Sequence, residues 1–287
     1  MNMKFWKLSG AGNDFIALDN RDGAIPEAWK KQLATRWCPR AHSIGADGLL
    51  LIEPSQRTHF TMRIFNADGS EAETCGNASR CIARLALSLG LAPQDMTFET
   101  HAGVYRAHVE GDAVSVSIPD PRDIRIDLSL KEEWLPVPRF HSINTGVPHV
   151  VLFVDQLNEI DVTGIGRKLR RHPMFHPSGT NVNFVKVKDQ SNLEIRTYER
   201  GVEDETLACG TGCIAAAIVA GISGLAQSPV RLHTRGGLIN TVSFSLEEPI
   251  TTNIRLEGDA RIIYRGEIDI DPESLKEKAA APVEHDG

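Results

Sequence analysis

NADGSEAETCGNASRC (residues 66–81) and YERGVEDETLACGTGCIAAA (residues 198–217) run in step. Each passes from an acidic, threonine-bearing approach into Cys-Gly, then a small polar residue, then a run of small and apolar residues. A switch of that kind at a glycine marks a helix entrance. Helices are expected from about Cys75 to Leu89, closed by Gly90, and from about Cys209 to Gly224. The first turn of a helix leaves backbone N–H groups without intrahelical partners and carries partial positive charge. A thiol placed there is drawn toward its thiolate. Cys75 and Cys209 both hold that position, at what read as exposed helix entrances. Cys81 and Cys213 fall among apolar residues inside the helices and Cys38 follows Trp37, so these three read as core.

Working outward, the surroundings repeat as well. Before Cys75, FWKLSG and DFIALDN form a hairpin around Gly10–Gly12, EAWKKQLATRWC has helical spacing, and GLLLIEP and FTMRIFNADG read as strands. TFETHAG, YRAHVEG and AVSVSIPD follow the first Cys-Gly helix as strands. Between Pro119 and Pro138 the signals are those of a loop, which places a domain boundary there. FHSINTGVPHVVLFVD, a helix around Ile165–Arg171, the strands NVNFVKVKD and LEIRTYERG, the second Cys-Gly helix and further strands then restate the order. This is a duplication at domain scale. The charged tail, 273–287, is expected to fray.

Bulk properties narrow the partners. The chain has 287 residues, enough for two domains, and a net charge of −7 with no long basic run, which disfavours nucleic acid and anionic membranes. No apolar run reaches the roughly 18 residues that span a bilayer, and the N-terminus lacks a secretory h-region, so the expected location is cytoplasmic. Five cysteines without a C-x-x-C suit a reducing compartment, and neither close pair has zinc-finger spacing. Gly10-Ala11-Gly12 and Gly210-Thr211-Gly212 lack the third glycine of a dinucleotide site, and nothing marks a pyridoxal phosphate lysine. No metal and no cofactor are expected.

Two acid/base groups facing each other across one carbon suit inversion of a stereocentre: one takes a proton from one face while the other returns one to the opposite face. The α-proton of an amino acid is weakly acidic. Such a site must stabilise the developing carbanion with dipoles aimed at the α-carboxylate, and N–H groups at the two helix entrances are suited to that.

The segments SGAGNDF, RIFNADGSEAETCGNASRC, NTGVPHVV, GTNVNFV and YERGVEDETLACGTGC resemble, in order and over nearly the whole chain, the diaminopimelate epimerase family. The resemblance implies two similar α/β (α+β) domains related by a pseudo-twofold axis. Each is a barrel-like mixed or antiparallel sheet around a central helix. The first would comprise residues 1–121 with a closing segment about 264–272, and the second residues 122–263. It implies a homodimer that interconverts LL- and meso-diaminopimelate without a cofactor, on the route to lysine and peptidoglycan. Carried across by motif, Cys75 and Cys209 are the catalytic pair. Gly76, Asn77, Gly210 and Thr211 hold the reacting carboxylate and amine, Asn13 and Asn66 are side-chain ligands, and Asn181, Glu199 and Arg200 grip the distal end and the reacting amine. His149 matches a histidine near the thiols.

Read alone, Asn13 and Asn66 are turn residues beside glycines, Arg200 is a solvated strand end, and His149 is structural. Two positions depart from the family pattern. Val147 stands where an Asn is common and Gly48 where some members carry Gln; the former removes an amide contact to the distal end. The rival enzyme is a proline or hydroxyproline racemase of the same superfamily, also with two thiols; those enzymes resemble one another in carrying His where this chain has Asn77. A non-catalytic amino-acid-binding protein is the reading from another class.

Overall fold

In the computed structural model, described for residues 1–73, 75–247 and 250–275, the chain is a mixed, sheet-dominated α/β fold. The first half comprises β1 (Asn2–Gly10), β2 (Asn13–Asp19), α1 (Glu27–Trp37), β3 (Gly48–Glu53), β4 (Phe60–Asn66), β5 (Glu71–Ala72), α2 (Gly76–Ser88), β6 (Asp95–Thr100), β7 (Gly103–Glu110) and β8 (Ala113–Ser117). β9 (Arg122–Ser129) follows. The second half comprises β10 (Arg139–Asn144), β11 (Pro148–Phe153), α3 (Val162–Arg170), β12 (Asn181–Asp189), β13 (Asn192–Glu199), β14 (Asp204–Thr206), α4 (Gly210–Ile222), β15 (Val230–Thr234), β16 (Ile239–Glu247) and β17 (Ile250–Asp259). β18 (Arg261–Asp269) and a 3₁₀ turn, Pro272–Leu275, end the described chain.

The halves agree pairing for pairing. β1–β2 is antiparallel, β2–β3 parallel, β3–β4 antiparallel, β4–β6 parallel, and β6–β7 and β7–β8 antiparallel. β10–β11, β11–β12, β12–β13, β13–β15, β15–β16 and β16–β17 repeat that series in the same senses. Each half then sends its next strand to the other: β9 pairs with β10 and β18 pairs with β1, both antiparallel. β8 and β17 join the halves again.

All the strands join in one sheet, and those of each half wrap one Cys-Gly helix. Ile214–Ala220 of α4 are fully buried, as expected for a helix apolar on every side, and its alanines admit the strands closely. α2 is buried along the same stretch, with Arg84 on its wetter face. The helices touch each other, and one hydrophobic core runs from Phe60 and Phe98 in the first half through both helices to Val230 and Leu232 in the second. Smaller clusters lie under α1 and under α3.

Three expectations change. The stretch from Pro119 to Pro138 is not all loop. Ile124, Ile126 and Leu128 alternate with exposed charges and pack inward along β9, while Asp123 and Asp127 take left-handed backbone angles where its pairing with β10 shifts register. The helix around Ile165–Arg171 starts earlier, at Val162, where the Asp161 carboxylate accepts the Gly164 N–H at 2.9 Å. Of the expected fraying tail, residues 273–275 belong to the 3₁₀ turn, and Leu275 is buried with the cluster beneath α1. Residues 276–287 lie outside the described ones.

Candidate active site

α2 and α4 begin at the two cysteines. Cys75 and Cys209 are N-caps in extended backbone, and their carbonyls accept the Ser79 and Cys213 N–H at 2.8 and 2.9 Å to close the first turns. Neither cap is satisfied by a side chain. The backbone N–H groups beside each sulfur, those of Ala78 and Asn77 at Cys75 and of Gly212 at Cys209, favour its thiolate, and the Cys209 sulfur lies 3.5 Å from the Thr211 hydroxyl. A Cβ added at Gly76 or at Gly210 would stand 2.9 or 3.0 Å from Leu256 Cδ2. The same leucine methyl of β17 therefore fills the space beside both helix entrances. Glycine at each lets them meet there.

Both sulfurs line one cavity of about 1070 Å³ between the halves. Every expected binding residue, Asn13, Asn66, Gly76, Asn77, Asn181, Glu199, Arg200, Gly210 and Thr211, lines it too. His149 does not. It is buried on β11 with Nδ1 3.1 Å from the Asn183 amide nitrogen, and its Nε2 has no partner among the described residues. Burial and the nearby Arg200 hold its pKa down at about 3, so it is a neutral ring behind the cavity wall.

The thiols are less exposed than their sequence context predicts. Cys75 is half-buried and Cys209 only 8% exposed. Burial pushes both thiols up, Cys209 well above the ordinary range, and the Glu199 carboxylate reaches both sulfurs in the same sense. Helix-entrance N–H groups act against that rise without cancelling it. Burial likewise raises the Glu199 carboxyl.

The polar wall is braced from behind. Asn13 accepts the Asn77 amide at 2.6 Å and donates to Asp47 at 3.0 Å. Asn66 donates to Ser70 at 3.0 Å across a tight turn, so it is a turn residue and also faces the cavity. Asn181 spends its side chain on the Pro148 carbonyl and the Arg200 N–H, at 3.1 and 2.8 Å, and thereby sets the start of the Glu199-Arg200 corner. Arg200 Nη1 donates to the Ser178 carbonyl at 2.9 Å.

Sequence reasoning passed over Arg40 and Asp47, which also line the cavity, and assigned Cys38 wholly to the core although it borders it. Arg40 donates to Asp14 at 2.6 and 2.9 Å and to Asp47 at 2.6 Å, and Lys7 closes on Asp14 at 2.6 Å. The cluster depends on β3 lying parallel to β2, a nonlocal pairing that only the acids of GNDF and GADG could have hinted at. Gly48 has its own reason: a Cβ there would stand 2.8 Å from the Phe65 carbonyl, so this backbone admits no Gln. Val147 gives the cavity an apolar spot.

Burial opposes ionisation of Asp14, but Arg40 and Lys7 outweigh it and hold its carboxyl at about 2. A carboxyl depressed on folding stabilises the fold above its unfolded pKa, and that stability is lost as the pH falls toward the folded value. The Tm advantage of the natural protein over Asp14→Asn is expected to be full above about pH 4 and to shrink between about 4 and 2. Melting curves across that range check it, and a gap that stays constant would refute it.

Residues 5–121 and 141–255 match the family model described as diaminopimelate epimerase. The chain is 41% identical over 276 residues to the diaminopimelate epimerase of Hydrogenobaculum sp. (strain Y04AAS1), with 92% of this chain and 98% of that protein covered. It is 39% identical over 282 residues to the diaminopimelate epimerase of Aquifex aeolicus (strain VF5), with 93% and 98% covered. Among solved structures it resembles a Bacillus anthracis phenazine biosynthesis protein of the PhzF family, with TM-score 0.71 and 14% identity over 94% of this chain and 100% of that one. It also resembles a hydroxyproline epimerase from Agrobacterium vitis, with TM-score 0.65 and 18% identity over 96% and 94%. At such identities these structures speak to the fold alone. Among the described residues no helix is long and apolar enough to cross a membrane.

Proposed function

The chain belongs to the diaminopimelate epimerase family and acts as a diaminopimelate epimerase, and from that premise we propose that Cys75 and Cys209 are the two bases that invert one α-carbon of LL-diaminopimelate to give the meso form, and the reverse. One thiolate removes the α-proton while the thiol on the other wall delivers a proton to the opposite face. Return runs with the roles exchanged. The α-carboxylate sits against the N–H groups of the α2 and α4 entrances, where the charge that develops on deprotonation meets fixed dipoles in a site shielded from water. Glu199 takes the reacting ammonium. Arg200, set by Asn181, clamps the distal carboxylate, with Asn13, Asn66 and Asn77 completing the polar wall.

The observation that carries this reading is the meeting of two matched cysteine-capped helix entrances on one Leu256 methyl at a shared cavity. The halves 1–121, with a closing segment about 264–272, and 122–263 serve as the two walls. The reading includes a homodimer, as in the family resemblance, and a reducing cytoplasm, which suits five free thiols.

Incubation with LL-diaminopimelate in D₂O tests the reaction. Meso product with deuterium at the inverted α-carbon is expected. Binding without label uptake would leave an amino-acid-binding protein instead, and turnover of proline derivatives in place of diaminopimelate would favour the racemase reading.

A further inference from the structure

Asp47 ends a line of hydrogen bonds that crosses the polar wall of the cavity. From α2, Arg80 Nη2 donates to Asn77 Oδ1 at 2.6 Å, and Asn77 Nδ2 donates to Asn13 Oδ1 at 2.6 Å. Asn13 Nδ2 then donates to Asp47 Oδ2 at 3.0 Å. Asp47 also accepts the Asp14 N–H at 3.1 Å on Oδ2 and Arg40 Nη2 at 2.6 Å on Oδ1. The line thus joins α2, the first residue of β2 and the residue before β3. Two contacts bring these together. The Asp47 N–H donates to the Asp14 carbonyl at 2.9 Å. Gly10 lets the β1–β2 hairpin lie against α2, since a Cβ there would stand 2.8 Å from Cys81 Sγ and 3.3 Å from the Asn77 carbonyl oxygen.

The two ends of the line differ in kind. A guanidinium can only donate, and a carboxylate can only accept. An asparagine side chain has an oxygen on one side and N–H₂ on the other, and its partners decide which way round it stands. Asn13 turned over would set its oxygen against Asp47 and its nitrogen against the Asn77 nitrogen. Asn77 turned over would set its nitrogen against Arg80 and its oxygen against the Asn13 oxygen. Either reversal loses two hydrogen bonds and faces like against like. Both oxygens of Asp47 meet donors only, so an amide at this position could satisfy just one of its two sides. With the line formed, Asn13 and Asn77 each keep one side-chain N–H unspent among the described residues, and both residues line the cavity.

Resting on the binding of diaminopimelate in this cavity and deepening that reading, we propose that Asp47 is a positioning residue: it fixes the polarity of the Asn13–Asn77 amide pair, so that Asn13 meets the substrate with an N–H and reads a carboxylate. Arg80, fully buried at the other end, holds Asn77 the same way round. Asp47 acts through Asn13 and not by a contact of its own.

A double-mutant cycle tests this. Calorimetric binding of diaminopimelate at isomer equilibrium is compared for the unaltered protein, Asp47→Asn, Asn13→Ala and the double variant. Asp47→Asn keeps the side-chain shape but sets N–H₂ against donors, and is expected to weaken binding about tenfold. Asn13→Ala should weaken it at least as much. In the double variant the Asp47→Asn penalty should nearly vanish, because no amide is left to turn. Turnover should show the Asp47→Asn loss in KM, with kcat changed less than about threefold. Penalties that multiply in the double variant, or an unchanged affinity in Asp47→Asn, overturn the proposal. Should Asp47→Asn not fold, Asp47→Ala goes through the same cycle with the same expectations. In the unaltered protein, the Asn13 side-chain N–H₂ resonances, assigned by their loss in Asn13→Ala, should shift when diaminopimelate is added; unmoved resonances also overturn it. Coupled penalties together with no label uptake from D₂O would retain the role of Asp47 and dismiss the epimerase reading. Absence of diaminopimelate binding to the unaltered protein would dismiss both.

Discussion

Cys75→Ala and Cys209→Ala are each expected to lower the rate of epimerisation by at least about 10²–10⁴-fold, the usual worth of a positioned proton-transfer group. Loss should be similar for the two, because inversion needs a donor on one face and an acceptor on the other in every turnover. The fold should survive with a small penalty. Each change removes one sulfur from a partly or wholly buried position, and at such a site deletion of a small group costs about 1 kcal/mol through the void it leaves. Cys209, at 8% exposure, should cost more than half-buried Cys75. Turnover of LL-diaminopimelate and thermal melting, measured on the same preparations, check both halves of this expectation. Substantial inversion by either variant would remove the two-base assignment.

Arg200→Ala is expected to raise KM for diaminopimelate about 10–100-fold with a much smaller effect on kcat, since a lost charge-assisted hydrogen bond is worth about 1.5–3 kcal/mol in binding. The backbone around it should hold, because Asn181 grips the Arg200 N–H and not its side chain. The guanidinium spends Nη1 on the Ser178 carbonyl, and Arg200 lines the cavity, where its other donors would be open to a substrate carboxylate on the proposed reading. On the proposed reading, Val147 supplies no amide to the distal end, so the grip there would fall more heavily on Arg200. An unchanged KM would exclude that role.

Much of the site was legible because its signals are local. A cysteine followed by glycine at the start of an apolar run is a helix entrance whatever surrounds it, and the second copy at Cys209 made the first at Cys75 interpretable. The turn reading of Asn66 holds, and the same residue also lines the cavity. What escaped depends on distant partners. β9 looks like a charged loop because one face stays wet, and its hydrogen bonds go to β10 beyond a proline-rich stretch. Arg40 and Asp47 reach the cavity only through the parallel β2–β3 pairing. The exposure of the thiols was misjudged for the same reason: Leu256, which covers both entrances, comes from a strand near the far end of the sequence.

The exchange of strands between the halves bears on how the protein is made. β1 has β2 on one side and β18, from the other end of the described residues, on the other, and the Met1 carbonyl accepts the Ile270 N–H at 2.8 Å. Until β18 has been synthesised that outer edge has no neighbour, and an unpaired edge invites association with other chains. The first half must therefore wait, incomplete, for β18, so nascent-chain truncations short of residue 261 would leave it a target for chaperones.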